Sequence, residues 1–268
     1  MSIVTSKDGT TIAYSKLGDG PPLVLIDGAL CSRENGPNGA LAALLKQHFT
    51  VYTYDRRGRG ESGNRASDYD TERELEDIEA LIDEAGGSVF VYGISSGAAL
   101  ALEAANRLPG IMKLALFEAP FVTDDSRQPV PQDYEERMEE LIRSGRRSAA
   151  IKLFMRRGVG LPAPMVALMP LMPAWSKLKA VAHTLPYDTR WTIEHQQGKK
   201  DSLYRWSNVQ VSTLVVDGGK SPAWMRNAML ALTEALPNAK SHTLPGQTHI
   251  VKASVLAPVL VDHYQSKA

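Results

Sequence analysis

Apolar residues follow two rhythms along this chain. Unbroken short runs, Leu23-Val24-Leu25-Ile26, Val51-Tyr52-Thr53-Tyr54, Val89-Phe90-Val91-Tyr92, Leu114-Ala115-Leu116-Phe117 and Thr213-Leu214-Val215-Val216, have the length and composition of strands buried on both faces. Between them, apolar positions recur at helical spacing. Leu75, Ile78, Leu81 and Ile82 share one face of a helix over 72–85, and 98–108, 223–236 and 253–263 also read as helices, the first of these ended by Pro109-Gly110. Thr11-Ile12-Ala13-Tyr14, placed after Asp8-Gly9, reads as a hairpin arm, and Ser241-His242-Thr243-Leu244 as a last strand. Strands and helices alternating in this way predict an α/β fold: a mostly parallel sheet with helices on both faces, whose ligands bind beyond the carboxyl ends of the strands.

The alternation lapses over 121–208, where prolines, methionines and amphipathic stretches replace any convincing strand. This segment reads as an inserted helical cap, which divides the chain into a core from 1–120 and 209–268 and a cap between. Met155, Met165, Met169, Met172, Trp175, Trp191 and Trp206 fall in it, either lining an apolar cavity or joining cap to body.

Composition narrows the partners. With 268 residues, 43% of them hydrophobic, the chain can bury a sizeable core. Lys plus Arg equals Asp plus Glu at 30 each, so no overall field draws nucleic acid or an anionic membrane, and a small-molecule partner is expected instead. Cys31 is the sole cysteine, which excludes an internal disulfide. No run reaches the ~18 apolar residues of a membrane span and the first residues have no signal-peptide pattern, so a cytoplasmic location is expected.

The chemistry concentrates at strand ends. Gly93-Ile94-Ser95-Ser96-Gly97 lies between a strand run and a helix-like stretch, the context of a nucleophile elbow. There a sharp turn strains the central serine, and the flanking glycines remove side chains that would collide. Gly58, Gly60 and Gly63, with Asp83 further on, match the spacing of a dinucleotide fingerprint. However, residues 64–69 read as a loop instead of a helix, and Asp83 lies inside a helix, so no nucleotide cofactor is expected. No two histidines show metal-ligand spacing, so no metal is expected either.

Together these motifs resemble the α/β-hydrolase family over nearly the whole chain. Tyr54-Asp55-Arg56-Arg57-Gly58-Arg59-Gly60-Glu61-Ser62-Gly63 looks like the family's D-x-R-G-x-G-x-S loop, and Gly246-Gln247-Thr248-His249 like its histidine loop. A serine hydroxyl needs a neighbouring base, and that base needs an orienting carboxylate. The resemblance implies Ser95 as nucleophile and His249 as base, since His249 follows the last strand in the family's Ser, acid, His order. His48, His242 and His263 read as packing or surface residues, while His183 and His195 fall in the cap.

The family's usual acid follows the penultimate core strand, where Gly218-Gly219-Lys220-Ser221-Pro222 has a serine. A minority of the family takes the acid from the strand after the elbow helix. Phe117-Glu118-Ala119-Pro120 resembles that segment in haloalkane dehalogenases and in fungal zearalenone lactonases, which makes Glu118 the candidate and Asp217 the reserve. The same resemblance implies oxyanion donors from the backbone N–H groups of Ser96 and of Gly28 or Ala29. Asp27 stands where a histidine often precedes that glycine, and is expected to order its own loop.

The reading that results is a cofactor-free serine hydrolase acting on an apolar carboxylic ester or lactone through an acyl-enzyme. Two alternatives stay open: a non-hydrolytic ligand-binding protein of the same fold, and a cofactor-free haloperoxidase or lyase using the same groups.

Overall fold

A computed structural model describes residues 2–64 and 69–266. Eight strands form one sheet: β1 (Ser2–Thr5), β2 (Thr11–Leu17), β3 (Pro22–Ile26), β4 (Thr50–Tyr54), β5 (Val89–Ile94), β6 (Ile111–Phe117), β7 (Ser212–Gly218) and β8 (Ala239–Leu244). Their spatial order is β1-β2-β4-β3-β5-β6-β7-β8. β1 and β2 pair antiparallel as a hairpin and β2 runs antiparallel to β4, while every pairing from β4 to β8 is parallel. The expected α/β class and mostly parallel sheet are therefore present.

Ten α-helices accompany the sheet among the described residues. They are α1 (Asn38–Leu45), α2 (Thr71–Glu84), α3 (Ser96–Arg107), α4 (Tyr134–Arg143), α5 (Arg147–Leu153), α6 (Ala163–Leu168), α7 (Trp175–Val181), α8 (Leu185–Thr192), α9 (Ala223–Ala235) and α10 (Ala253–Gln265). Because strand side chains alternate between faces, the core splits in two. Val24, Ile26, Val91, Leu114 and Leu116 meet α2, α3 and α9 on one face; Leu23, Leu25, Tyr92, Ala115 and Phe117 meet α1 and α10 on the other. None of the described helices is long and apolar enough to cross a membrane.

Between β6 and β7 the described elements are all helical. The two tryptophans nearest β7 serve the junction with the sheet layer. Trp191 and Trp206 pack into the core beside α3, with their indole N–H groups donating to Glu74 (2.7 Å) and Glu103 (2.8 Å). Trp175 joins a separate cluster with Met138, Ile151 and Leu185, against which Met155 and Met169 pack, whereas Met165 and Met172 are exposed.

The glycine-rich run after β4 forms a turn, and Asp83 lies within α2, the helix expected there. Part of the loop expected over 64–69, residues 65–68, lies outside the described residues.

Candidate active site

The carboxyl ends of β3, β5, β6 and β7 carry Gly28, Ser95, Glu118 and Asp217, and the loop after β8 carries His249. Ser95 follows β5 directly, and its backbone sits at φ 57 and ψ −128, a left-handed conformation unusual for a residue with a side chain. Its N–H still donates to the Phe117 carbonyl at 2.9 Å, so the strain is held by the sheet ladder. The two flanking glycines are required by contact. A Cβ at Gly93 would lie 2.4 Å from the Gly97 carbonyl oxygen and 2.7 Å from Ala101, and one at Gly97 would lie 2.5 Å from the Asp27 carbonyl oxygen. The elbow therefore presses α3 against both β5 and the end of β3.

Glu118 is the residue after β6 and is completely buried, with φ 46. That conformation breaks strand alternation and turns the carboxylate over the end of β7. One oxygen, Oε1, accepts the Gly218 N–H at 2.7 Å, and the other lies 2.8 Å from His249 Nδ1. His249 sits in the loop between β8 and α10, its ring 6.2 Å from that of Phe117, with its side chain about one third exposed. With Nδ1–H donating to Glu118, Nε2 is left as the basic nitrogen.

The loop carrying His249 is tied to the end of β7. Lys220 N–H donates to the Gln247 carbonyl at 2.8 Å, and Gly219 N–H to that of Leu244 at 2.9 Å. Ser221, where the family's usual acid falls, has its hydroxyl buried without a hydrogen-bond partner among the described residues. Asp217, the reserve acid, is occupied elsewhere: it accepts from the Thr243 hydroxyl at 2.7 Å and from Arg226 Nε at 3.2 Å. The structure brings Glu118 to His249 and leaves Asp217 apart from it.

On the other side of Ser95 lies the end of β3. A Cβ built on Gly28 would be 2.9 Å from Ser95 Cβ and 3.5 Å from its Oγ, so the Gly28–Ala29 backbone adjoins the serine. Ser96 opens α3, whose first N–H groups have no partner within the helix and sit at the positive end of its dipole. Asp27 faces the loop before α1, where Gly36 packs against its carboxyl. Burial pushes this carboxyl up to about 7, against the pull of Arg59, and its Oδ1 has no hydrogen-bond partner among the described residues.

Sequence reasoning missed the layer behind this loop. Arg56 and Arg59 of the glycine-rich turn are buried, and each is bound to Asp188 of α8 at 2.7 Å. Arg56 also pairs with both oxygens of Glu74 on α2, at 2.7 and 2.8 Å. Burial pushes Glu74 up, but Arg56 outweighs it and holds the carboxyl down at about 2. Two guanidiniums and two carboxylates balance here, which a buried ionic group requires. Losing one partner would strand its counter-charge at a cost of about 3–5 kcal/mol. The available signal was a pair of arginines in the turn after a buried strand, but their shared partner Asp188 lies far along the chain.

The remaining histidines stand outside this cluster. His195 is buried against Phe121 and Trp206, and burial lowers it to about 3; His263 Nε2 lies 2.9 Å from the Leu114 carbonyl oxygen; His183 is held at Ala180; His48 and His242 are exposed.

Comparison with known proteins agrees with this architecture. A solved alpha/beta hydrolase from Sphaerobacter thermophilus is 46% identical, with 98% of this chain and 100% of that chain covered and a TM-score of 0.90. A non-heme chloroperoxidase of Streptomyces lividans is 32% identical over 124 residues, covering 44% of this chain and 45% of that protein, so the match spans under half of its length. The enol-lactonase from Burkholderia xenovorans LB400 shares the fold, with a TM-score of 0.71 over 99% of this chain and 100% of that chain, at 19% identity. The alpha/beta hydrolase family model matches residues 34–261, and the chain belongs to that family.

Proposed function

We propose that the protein is a serine hydrolase that cleaves a carboxylic ester or lactone. Ser95 Oγ attacks the carbonyl carbon while His249 Nε2 takes its proton, and Glu118 fixes the imidazole and balances the charge it gains. The tetrahedral oxyanion is received by the Ser96 N–H and by that of Gly28 or Ala29. His249 then returns the proton to the departing alkoxide, and the acyl-enzyme is hydrolysed by water activated in the same way. The observation that supports this reading most is the 2.8 Å contact of Glu118 with His249, beside a serine held at φ 57.

Helices α4 to α8 would cap the site. Ala29 and Leu30 pack into the apolar cluster of Trp175, Met155 and Met169, which favours an apolar acyl or alcohol group. The chloroperoxidase relative favours a second reading, in which the acyl-enzyme passes its acyl group to hydrogen peroxide and releases a peracid.

A fluorophosphonate probe tests the first step. We expect wild type to be labelled at Ser95 and to hydrolyse p-nitrophenyl acetate, and Ser95→Ala to lose both, with turnover falling by about 10⁴-fold or more. A folded wild type that takes no label would indicate a ligand-binding protein. Halide oxidation in acetate and peroxide that outpaces ester cleavage would favour the peroxidase reading.

A further inference from the structure

Asp188 lies on α8, in the helical segment, yet its side-chain bonds among the described residues run to the turn after β4 and to the start of α3. Its Oδ1 accepts from Arg56 Nη1 and from the Ser96 hydroxyl, each at 2.7 Å, and its Oδ2 accepts from Arg59 Nη2 at 2.7 Å. The two arginines carry these bonds onward. Arg59 Nη1 donates to the Gly28 carbonyl at 2.7 Å, and Arg56 Nη1 to the Asp27 carbonyl at 3.3 Å. Arg59 Nε also holds Thr184, just before α8, at 3.1 Å. One carboxylate therefore touches both walls beside Ser95: the start of α3 directly, and the loop after β3 through two guanidiniums.

Each of these bonds fixes a peptide next to a proposed oxyanion donor. The Gly28 carbonyl belongs to the peptide that bears the Ala29 N–H, and the Asp27 carbonyl to the one that bears the Gly28 N–H. Binding those oxygens from behind sets the direction in which the N–H groups point. The Ser96 hydroxyl likewise pins the residue whose N–H forms the opposite wall.

We propose that Asp188 is a positioning residue that locks the two walls of the oxyanion hole to each other and to α8. The proposal rests on the hydrolase reading above. Positioning and electrostatics make opposite predictions here. Neutralising Asp188 removes a negative charge close to the forming oxyanion, so a charge effect alone would speed acylation. Loss of alignment would slow it.

The test compares wild type, Asp188→Asn and Ser96→Ala by turnover of p-nitrophenyl acetate, by rate of fluorophosphonate labelling and by thermal unfolding. We expect Asp188→Asn to lower kcat by about 10- to 100-fold and Ser96→Ala by about 3- to 10-fold, since misaligned donors lose much of their effect. KM should stay within about twofold and the pH profile should keep its midpoint, because the Glu118–His249 contact is untouched. Ser96→Ala removes one hydroxyl and keeps the backbone N–H, so it decides the matter if Asp188→Asn fails to fold. A labelled wild type matched or exceeded by a folded variant in kcat and labelling rate overturns the positioning role alone. A wild type that neither takes the label nor cleaves the ester overturns the hydrolase reading and this inference with it.

Discussion

Glu118 and Asp217 stand at the ends of neighbouring parallel strands, both buried and both able to serve as the acid partner of a histidine, but only Glu118 meets His249. The difference lies in the backbone. Asp217 is still within β7 and keeps the alternation of that strand, which directs it to Thr243 on β8 and Arg226 on α9. Glu118 is one residue beyond β6, and its positive φ swings the longer side chain across to the Gly218 N–H and the histidine loop. A carboxylate can thus reach the histidine loop beside β7 without belonging to β7.

The sharpest way to break this comparison is to neutralise each carboxyl in turn. In Glu118→Gln an amide can still accept from Gly218, but it then presents an N–H₂ to His249 Nδ1 and favours the wrong tautomer. We expect kcat to fall by about 10²- to 10⁴-fold with the fold retained. Asp217→Asn should leave kcat within about twofold and cost at most about 1 kcal/mol, because its partner Arg226 is 44% exposed and well screened. Ester turnover alongside denaturant unfolding of both variants checks the pair. The reverse ranking would move the acid to β7.

A third strand-end carboxyl, Asp27 after β3, sharpens the contrast through pH. Glu118 and Asp217 have partners on both oxygens, whereas Asp27 has one oxygen without a partner among the described residues and is held at about 7 chiefly by burial. Its folded value lies above the unfolded one near 4, so the folded state binds the extra proton between those limits. The contribution of Asp27 to stability therefore declines as pH rises from about 4 to 7 and levels off above, by about 2–4 kcal/mol in all. Asp27→Asn removes that slope. Urea unfolding at pH 5 and pH 8 should show the variant gaining on wild type with rising pH, and parallel curves would show that Asp27 is ionised throughout.

The strand ends were legible in sequence because buried parallel strands leave unbroken apolar runs, and the elbow because its glycines are required by contact at Gly93 and Gly97. Glu118 was found through resemblance; nothing in its local sequence announces a positive φ. Helix α1 was not foreseen, since Pro37 and Gly39 bracket its start and read as loop, although Leu41, Ala42 and Leu45 bury one face. The ionic layer was illegible for a different reason. Arg56, Arg59, Glu74, Ser96 and Asp188 are spread over about half the chain, and Asp188 reaches the others only through the docking of α8 on α3, so no short window of sequence contains them.

The smallest expected effect concerns the place that Glu118 serves from the neighbouring strand. Ser221 Oγ is buried with no partner among the described residues, and it lies close enough to Gly218 that a Cβ there would approach it to 2.9 Å. An unpaired buried hydroxyl has lost its hydration without replacement, so deleting it removes a cost and no bond. Ser221→Ala should therefore keep full turnover of p-nitrophenyl acetate and match or exceed wild type in stability by about 0.5–1 kcal/mol. Because the Gly218 N–H is the donor that anchors Glu118, a rate loss in a folded Ser221→Ala would mean that the serine supports this turn, and the acid site would then depend on β7 after all.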